Sequence, residues 1–337
     1  MTIEVIDLRT ALHDGPIPMD IVKEISSGLS LPAGQRELPT LVLYDEKGLR
    51  LYDHITTDAP EYYLFGAEEG ILKTRADEIV QTMHQGKGVV PGEVVVELGA
   101  GFVLMKPEND TFLMNLTSRA LRKTSLILSG LARLVGDGKS IPPVTYYALD
   151  LEQRELERSL DEITKSDIGH ELATKVATKG MWGTYDDGLR FLCNDGLESH
   201  KLSTNLEFRS SNSSPVSCPD SPLTPVEGNQ APLHIMFLGS TLGNFPRSDT
   251  ASFLRSLPLR PYHGDTLLLG LDQNNDKGLI ELAYNDPQNY TKRFIFNGLR
   301  VAGRALGDEN MFDETKWDYA NCYDAVSLES LMQIQVK

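Results

Sequence analysis

Apolar residues recur every three to four positions in two early stretches of the chain. This spacing predicts short amphipathic helices around Met19–Leu29, ending near Gly28, and over 67–84. Residues 38–66, which separate them, carry a dense group of tyrosines at 44, 52, 62 and 63. The first part of the chain is therefore predicted to be mainly helical, with an aromatic patch.

After Pro91–Gly92 the pattern changes to short, continuous apolar runs, which are typical of strands buried on both faces. The runs predict strands at 94–96, Val144–Leu149, His234–Leu238 and Thr266–Leu271. Helices are predicted at Leu121–Val135 and over the polar segment 151–164. Because strands and helices alternate, we predict the α/β fold class, with a parallel sheet and helices on both faces.

Two segments interrupt this alternation. Residues 209–232 are rich in Ser and Pro and predict a mobile surface loop. Residues 102–119 separate the glycine-rich turn at 99–101 from the helix that such a turn normally opens, and we interpret them as an anomalous insertion. The abrupt change of composition inside a tight motif suggests an untranslated segment retained in the gene model.

Composition narrows the range of partners. The 337 residues carry 32 Lys and Arg against 48 Asp and Glu, a formal net charge of −16. Such an acidic chain repels phosphate backbones and anionic lipids, so we expect neither nucleic acid nor membrane as a partner. The N-terminus lacks the apolar region of a signal peptide. Three distant cysteines (193, 218 and 322) form neither a disulfide framework nor a zinc pattern, which favours a cytoplasmic protein.

The strongest local motif is V-V-V-E-L-G-A-G at 94–101. A strand that ends in a glycine turn lets the backbone approach a ligand where a side chain would clash. The third glycine of a dinucleotide fingerprint is absent, so the turn suits a nucleoside ligand without pyrophosphate and argues against a nicotinamide dehydrogenase. Glu97 suits a cationic sulfonium. The alternative is an ordinary turn without a ligand.

Two further positions fit the same interpretation. Asp150 ends the second of these strands, where an acidic residue binds ribose hydroxyls in doubly wound folds, although it could equally cap the next helix. Asn244 closes the string F-L-G-S-T-L-G-N-F at 237–245. Its amide can bind both the ammonium and the carboxylate of an amino acid. The alternative there is a left-handed turn at Gly243–Asn244.

Several ordered motifs together resemble the histidine-specific methyltransferase family. They are the glycine turn G-A-G and, in sequence order around it, L-Y-D-E-K-G-L-R-L-Y-D-H-I-T-T-D-A-P-E-Y-Y (43–63), A-L-R-K-T (120–124), Y-Y-A-L-D (146–150), M-W-G-T-Y-D-D-G-L (181–189), F-L-G-S-T-L-G-N-F and A-Y-N-D-P-Q (283–288). The resemblance covers roughly 15–320. It implies a Rossmann-like class I S-adenosylmethionine-dependent methyltransferase with a second, smaller substrate-binding lobe, and an amino acid as the small-molecule substrate.

The resemblance also implies residue roles. Glu97, Gly99 and Gly101 would line the S-adenosylmethionine pocket, Lys123 would lie near the carboxylate of the cofactor and Asp150 on its ribose. Asp186 or Asp187 would lie near the adenine. The substrate contacts would come from Asn244 and Tyr62 on the amino acid backbone, Tyr284 on the carboxylate and Tyr44 on the ring. For each tyrosine the alternative is core packing with a satisfied hydroxyl.

Within the family, P-E-Y-Y-L-F-G-A-E-E-G-I-L at 60–72 favours the fungal 4-dimethylallyltryptophan N-methyltransferases of ergot alkaloid synthesis. The expected reaction is N-methylation of the α-amino group of 4-dimethylallyl-L-tryptophan to 4-dimethylallyl-L-abrine. Because the methyl group is already activated, positioning and desolvation would dominate, with a tyrosine or a water accepting the amine proton and no metal required. A histidine N-methyltransferase of the ergothioneine pathway and a catalytically impaired gene product are the alternatives.

The expected organisation is a methyltransferase lobe over 67–283 and a substrate-binding lobe formed by 1–66 with 284–337, helical over 284–320. The resemblance fades after Trp317-Asp318-Tyr319. We therefore expect an altered, apparently truncated C-terminus that lacks the family's amine-binding contacts.

Overall fold

The computed structural model describes residues 3–11, 21–100, 119–137, 141–194, 196–197, 231–245, 247–273, 275–324 and 329–336. Gly101, residues 102–118 of the anomalous segment and residues 209–230 of the Ser/Pro-rich segment lie outside the described residues. Among the described residues, no helix combines the length and the apolar character needed to cross a membrane.

A six-stranded, all-parallel sheet confirms the α/β fold class. Its spatial order is β1-β4-β3-β2-β5-β6, so β2 lies inside the sheet between β3 and β5. This is a Rossmann-like, doubly wound arrangement. The strands are β1 (Val5–Asp7), β2 (Glu93–Leu98), β3 (Val144–Asp150), β4 (Val176–Trp182), β5 (Leu233–Phe237) and β6 (Thr266–Leu269).

The continuous apolar runs became strands because both faces of the inner sheet are covered. Every residue of β2 and of β5 is buried. Two strands of this sheet were not predicted from the sequence. The β1 strand has only three residues, and β4 mixes polar Thr178 and Lys179 with apolar positions. A hydrophobic pattern that is short or interrupted does not distinguish a strand from a loop.

The helices before the sheet lie close to their predicted bounds. The α2 helix (Ile21–Leu29) and α4 (Tyr63–Met83) match the two early amphipathic stretches. The remaining α-helices are α1 (Leu8–Ala11), α3 (Glu46–Asp58), α5 (Arg119–Val135), α6 (Gln153–Lys165), α7 (Asp167–Leu172), α8 (Tyr185–Cys193), α9 (Arg247–Ser256), α10 (Lys277–Ala283) and α11 (Tyr290–Ala305). Short 3-10 helices span Thr40–Leu43, Thr241–Asn244 and Glu314–Lys316.

The chain divides into two compact units. The sheet unit comprises the described residues within 1–17, 75–101 and 124–270, and the helical unit those within 18–74, 102–123 and 271–337. The core of the sheet unit includes Leu98, Leu149 and Phe237. The core of the helical unit is built around α11, whose Phe294 and Ile295 pack with Leu51 and Ile55 of α3.

The C-terminal segment corrects one expectation. Residues 317–320 were predicted to be helical, but they begin β7 (Trp317–Asp324), which pairs antiparallel with β8 (Glu329–Val336). Alternating positions in both strands were too mixed in polarity to stand out in the sequence. The final residues therefore form a β-hairpin in the helical unit.

Candidate active site

The glycine turn lies at the carboxyl end of β2. Gly99 has a φ of +64°, a conformation that a residue with a side chain rarely adopts. The amides of Gly99 and Ala100 both donate to the carbonyl of Leu149, at 3.1 and 3.2 Å, which ties the turn to the end of β3. The predicted glycine turn is thus present at Gly99, and its role in binding a ligand stays a prediction.

The chain order reverses at β2, because β3 lies on one side of this strand and β5 on the other. In open α/β sheets, ligands bind in the crevice beyond the carboxyl ends of the strands at such a switch point. Asp150 ends β3 beside the turn, and Gly239 and Ser240 follow β5 with φ values of +77° and +56°. The left-handed turn is therefore at these two residues and not at Gly243–Asn244.

Glu97 is buried near the end of β2. The Thr124 hydroxyl lies 2.8 and 3.0 Å from its two carboxylate oxygens, and the Tyr146 hydroxyl donates to Oε2 at 2.5 Å. Burial and the negative charge of Glu97 hold the pKa of Tyr146 well above its usual value, so this phenol stays a hydrogen-bond donor. Thr124, from the A-L-R-K-T motif, and Tyr146 together orient the carboxylate.

Tyr185 is a candidate site residue that the sequence analysis missed. A side chain at Gly99 would collide with its hydroxyl, and its ring packs against Phe237 with centroids 5.5 Å apart. Burial and the charge of Asp150 raise the pKa of Tyr185, so the phenol is neutral. Tyr185 precedes the two aspartates chosen from the same motif, and nothing in the sequence pattern distinguished the three.

The two aspartates of that motif differ in their environment. Asp187 forms a capping box with Thr184 at the start of α8 and an ion pair with Arg190 at 2.7 Å, whereas Asp186 is exposed in the first helical turn. Asp150 is not the N-cap of α6, since Glu152 occupies that position, but its Oδ1 accepts the Glu152 amide at 3.0 Å. Of the two adenine candidates, Asp186 is the more accessible.

Lys123 and Asn244 belong to different units of the chain. Lys123 belongs to the helical unit, where its Nζ forms an ion pair with Glu68 at 2.5 Å and lies 4.1 Å from the ring centroid of Phe65. Asn244 belongs to the sheet unit and is exposed at the end of the 3-10 helix that follows β5. Their roles in binding stay predictions.

The helical unit brings the three predicted substrate tyrosines into one aromatic cluster. Tyr44 packs against Phe294 and Tyr52, with ring centroids 5.6 and 6.2 Å apart, and Tyr62 packs edge-on against Tyr284 at 5.8 Å. A hydrogen bond between the hydroxyls of Tyr52 and Tyr62 joins the two groups. Tyr52 was seen in the sequence only as part of the tyrosine-rich stretch.

Burial controls the ionisation of this aromatic cluster. It raises the pKa of Tyr52, of Tyr62 and of Tyr284, and the neighbouring tyrosines add to the effect at Tyr62. Tyr319 of β7 donates a hydrogen bond to the backbone carbonyl of Tyr284 and so supports its position. The phenols are neutral near pH 7 and can position polar groups by donating or accepting hydrogen bonds.

The geometry of the sheet unit fits a charged nucleoside cofactor. A glycine turn lies at a switch point of the sheet, and the carboxylates of Glu97 and Asp150 near the ends of β2 and β3 suit a sulfonium and a ribose. These features define an α/β enzyme that binds a nucleoside cofactor.

Comparison with known proteins identifies the family. Residues 21–337 match the model of the histidine-specific, S-adenosylmethionine-dependent methyltransferases. The chain therefore belongs to this family, which confirms the predicted cofactor and the predicted enzyme class, an S-adenosylmethionine-dependent N-methyltransferase. The match runs through the C-terminal hairpin, so the expectation that the resemblance fades after Tyr319 was wrong.

Named relatives bear on the branch of the family. The chain is 36% identical to the L-tryptophan methyltransferase trpM of Psilocybe serbica, over 94% of this chain and 75% of that protein. It is 33% identical to ergothioneine biosynthesis protein 1 of Schizosaccharomyces pombe, over 86% of this chain but only 29% of that protein. It is 26% identical to the 4-dimethylallyltryptophan N-methyltransferase easF of Claviceps fusiformis, over 90% and 66%.

Proposed function

We propose that this enzyme N-methylates the α-amino group of an indole amino acid, with tryptophan as the substrate to test first and 4-dimethylallyl-L-tryptophan as the second. The observation that carries the proposal is the aromatic cluster around Tyr44, Tyr52 and Phe294. Aromatic side chains bind planar rings through edge and stacking contacts. The higher identity to the tryptophan methyltransferase than to the dimethylallyltryptophan enzyme favours the unprenylated substrate.

The protein would act mainly by positioning. S-adenosylmethionine, when bound, supplies an activated methyl group, and Glu97, the Gly99 turn and Asp150 are the residues that would hold it. The neutral hydroxyls of Tyr62 and Tyr284 would bind the polar end of the amino acid. Only a phenolate could accept the amine proton, and burial raises the pKa values of these phenols and keeps them protonated, so they are poor candidates for the base. A water is the more suitable acceptor.

Histidine is the second candidate substrate, and the family description together with the similarity to ergothioneine biosynthesis protein 1 supports it. The two functions differ in what the ring site must accommodate. Imidazole is small and polar, and it needs hydrogen-bond partners at its nitrogens. An edge formed by Tyr44 and Phe294 offers mainly apolar ring surface.

Mass spectrometry of product formation tests the proposal. The purified full chain is incubated with S-adenosylmethionine and, in separate reactions, tryptophan, 4-dimethylallyltryptophan and histidine. We expect one of the indole substrates to gain a methyl group with a kcat/KM at least about ten-fold above that for histidine. A preference for histidine, or no product from either indole, would contradict the proposal.

A pair of variants links the product to the aromatic cluster. Tyr44→Leu removes the ring beside Phe294, and we expect it to reduce the preference for the indole substrate over histidine. Tyr262→Phe alters a fully exposed tyrosine and serves as the matched control. If Tyr44→Leu leaves the substrate preference unchanged, Tyr44 does not contact the substrate ring. The family membership would not be affected by this result.

A further inference from the structure

Two histidines and a glutamate meet at the amino ends of the inner strands, away from the glycine turn. Glu93 begins β2, His234 is the second residue of β5, and His84 directly follows α4. Their side chains are 0%, 1% and 3% exposed. One nitrogen from each ring and one carboxylate oxygen all lie within 4.8 Å of one another. Buried groups of this kind are costly unless they are paired or bind a metal.

Each ring is held so that its Nε2 points toward the carboxylate. The Nδ1 of His84 lies 2.7 Å from the carbonyl of Val80, and the Nδ1 of His234 lies 2.6 Å from the hydroxyl of Thr266. Such partners fix the tautomer and orientation of metal-binding histidines. The Nε2 atoms lie 2.5 and 3.3 Å from Oε1 of Glu93, for His84 and His234 respectively.

Glu93 is oriented in the same way. Its Oε2 accepts the backbone amide of Val90 at 3.1 Å, which leaves Oε1 directed at the two rings. All three groups thus present one atom to a common point, and each has a second atom engaged by a surrounding partner.

One ring nitrogen of this cluster lacks a hydrogen-bond partner. His234 Nε2 is buried and lies near Glu93, but it has no partner with hydrogen-bond geometry. A tetrahedral zinc ion with Zn–N distances near 2.0–2.1 Å separates its ligand atoms by about 3.3 Å. His234 Nε2 and Glu93 Oε1 are already separated by this distance. The distance between His84 Nε2 and Glu93 Oε1 must increase by about 0.8 Å when zinc replaces the proton between these two atoms.

We propose that His84 Nε2, Glu93 Oε1 and His234 Nε2 form a structural zinc site. It ties the end of α4 to β2 and β5 at the edge of the sheet opposite the glycine turn, with the fourth position left to a water. By strand rise, Glu93 lies about 17 Å from the end of β2 at Leu98, and His234 lies about 10 Å from the end of β5 at Phe237. The zinc would therefore stabilise the fold and take no part in methyl transfer, which is assigned to the carboxyl ends of the strands.

Metal content and thermal unfolding of the full chain test the proposal. The protein is refolded with zinc or with a chelator, passed over a desalting column and analysed for zinc by mass spectrometry. We expect one zinc per chain and a Tm about 5 °C higher for the zinc-loaded form. A wild-type protein that retains no zinc and has the same Tm in both preparations overturns the site.

Cobalt provides a readout that does not depend on a variant folding. In the wild-type protein, cobalt at this site should give the visible absorption of a four-coordinate ion with nitrogen and oxygen ligands. His234→Gln should abolish both the cobalt spectrum and zinc retention, and Thr266→Val should weaken zinc binding by about 10–100-fold. His263→Gln, which alters an exposed histidine of the same unit, should retain zinc. Zinc retention by His234→Gln equal to that of the wild type overturns the proposal.

Discussion

Two buried glutamates near the two ends of one strand can be compared directly. Glu93 and Glu97 are four residues apart on β2, so they lie on the same face of the sheet. Glu93 faces two imidazoles, whereas the hydroxyls of Thr124 and Tyr146 donate hydrogen bonds to Glu97. The residue type is the same and the burial is similar, but the neighbours differ.

The difference lies in what the neighbours do to the charge of the carboxylate. Imidazoles can carry a proton or bind a metal, and so they can neutralise Glu93 within the protein. Hydroxyl donors orient Glu97 without adding positive charge. A carboxylate oriented in this way beside a glycine turn is suited to a cationic ligand, while one between two histidines is suited to holding structure together. The following predictions test this separation.

Glu97→Gln should have the largest effect, and the effect should be on ligand binding. The change keeps the shape but removes the charge, and hydrogen bonds to charged groups contribute about 1.5–3 kcal/mol. We expect the Kd for S-adenosylmethionine, measured by calorimetry, to rise by about 10–150-fold. Glu93→Gln is the matched control and should bind the cofactor like the wild type. An equal loss of cofactor affinity in both variants would mean that Glu93 and Glu97 do not have separate functions.

Glu93→Gln should instead lower the free energy of unfolding. Loss of the ionised partner leaves the buried ring nitrogens imperfectly paired, which costs about 1–3 kcal/mol. Chemical denaturation monitored by circular dichroism measures the change. Glu46→Gln, at an exposed position of α3, is a control that should stay within about 0.5 kcal/mol of the wild type. A wild-type stability in Glu93→Gln would contradict the structural role.

Tyr52→Phe extends the comparison to the helical unit. It removes the hydroxyl that is hydrogen-bonded to Tyr62 but keeps the ring, so the cluster should remain packed. A neutral hydrogen bond contributes about 0.5–1.5 kcal/mol. We expect steady-state kinetics to show a KM for the amino acid about 2–10-fold higher, with the cofactor Kd unchanged. An unaltered KM would show that the Tyr52 hydroxyl does not position Tyr62 for substrate binding.

Asp187→Asn and Asp186→Asn should have the smallest effects and should differ in kind. Asp187 caps α8 and pairs with Arg190, so its loss should lower the free energy of unfolding by about 0.5–1 kcal/mol. Asp186→Asn should leave stability unchanged and raise the Kd for the cofactor. Thermal denaturation and calorimetry distinguish the two, and a stability loss in Asp186→Asn alone would reverse the assignment.

Much of the sheet and part of the candidate site could be predicted from the sequence. The strands β2, β3 and β5 and the glycine turn were clear because strands buried on both faces contain continuous apolar runs and a positive φ favours glycine. The strand β4 was not predicted, since its polarity is mixed. Tyr185 was missed because its relation to Gly99 is a contact across the fold that no sequence spacing expresses.

The sequence by itself determined the fold class and the family, because these depend on local patterns and ordered motifs. Only the tertiary structure decided which of two aspartates caps a helix, which tyrosines share hydrogen bonds, and that His84 and His234 meet at Glu93. Those two histidines are separated by most of the sheet unit in sequence. Glu93 and His234 come together because parallel strands align their amino ends at one edge of the sheet, and His84 joins them from the end of α4, so sequence spacing alone does not reveal the contact.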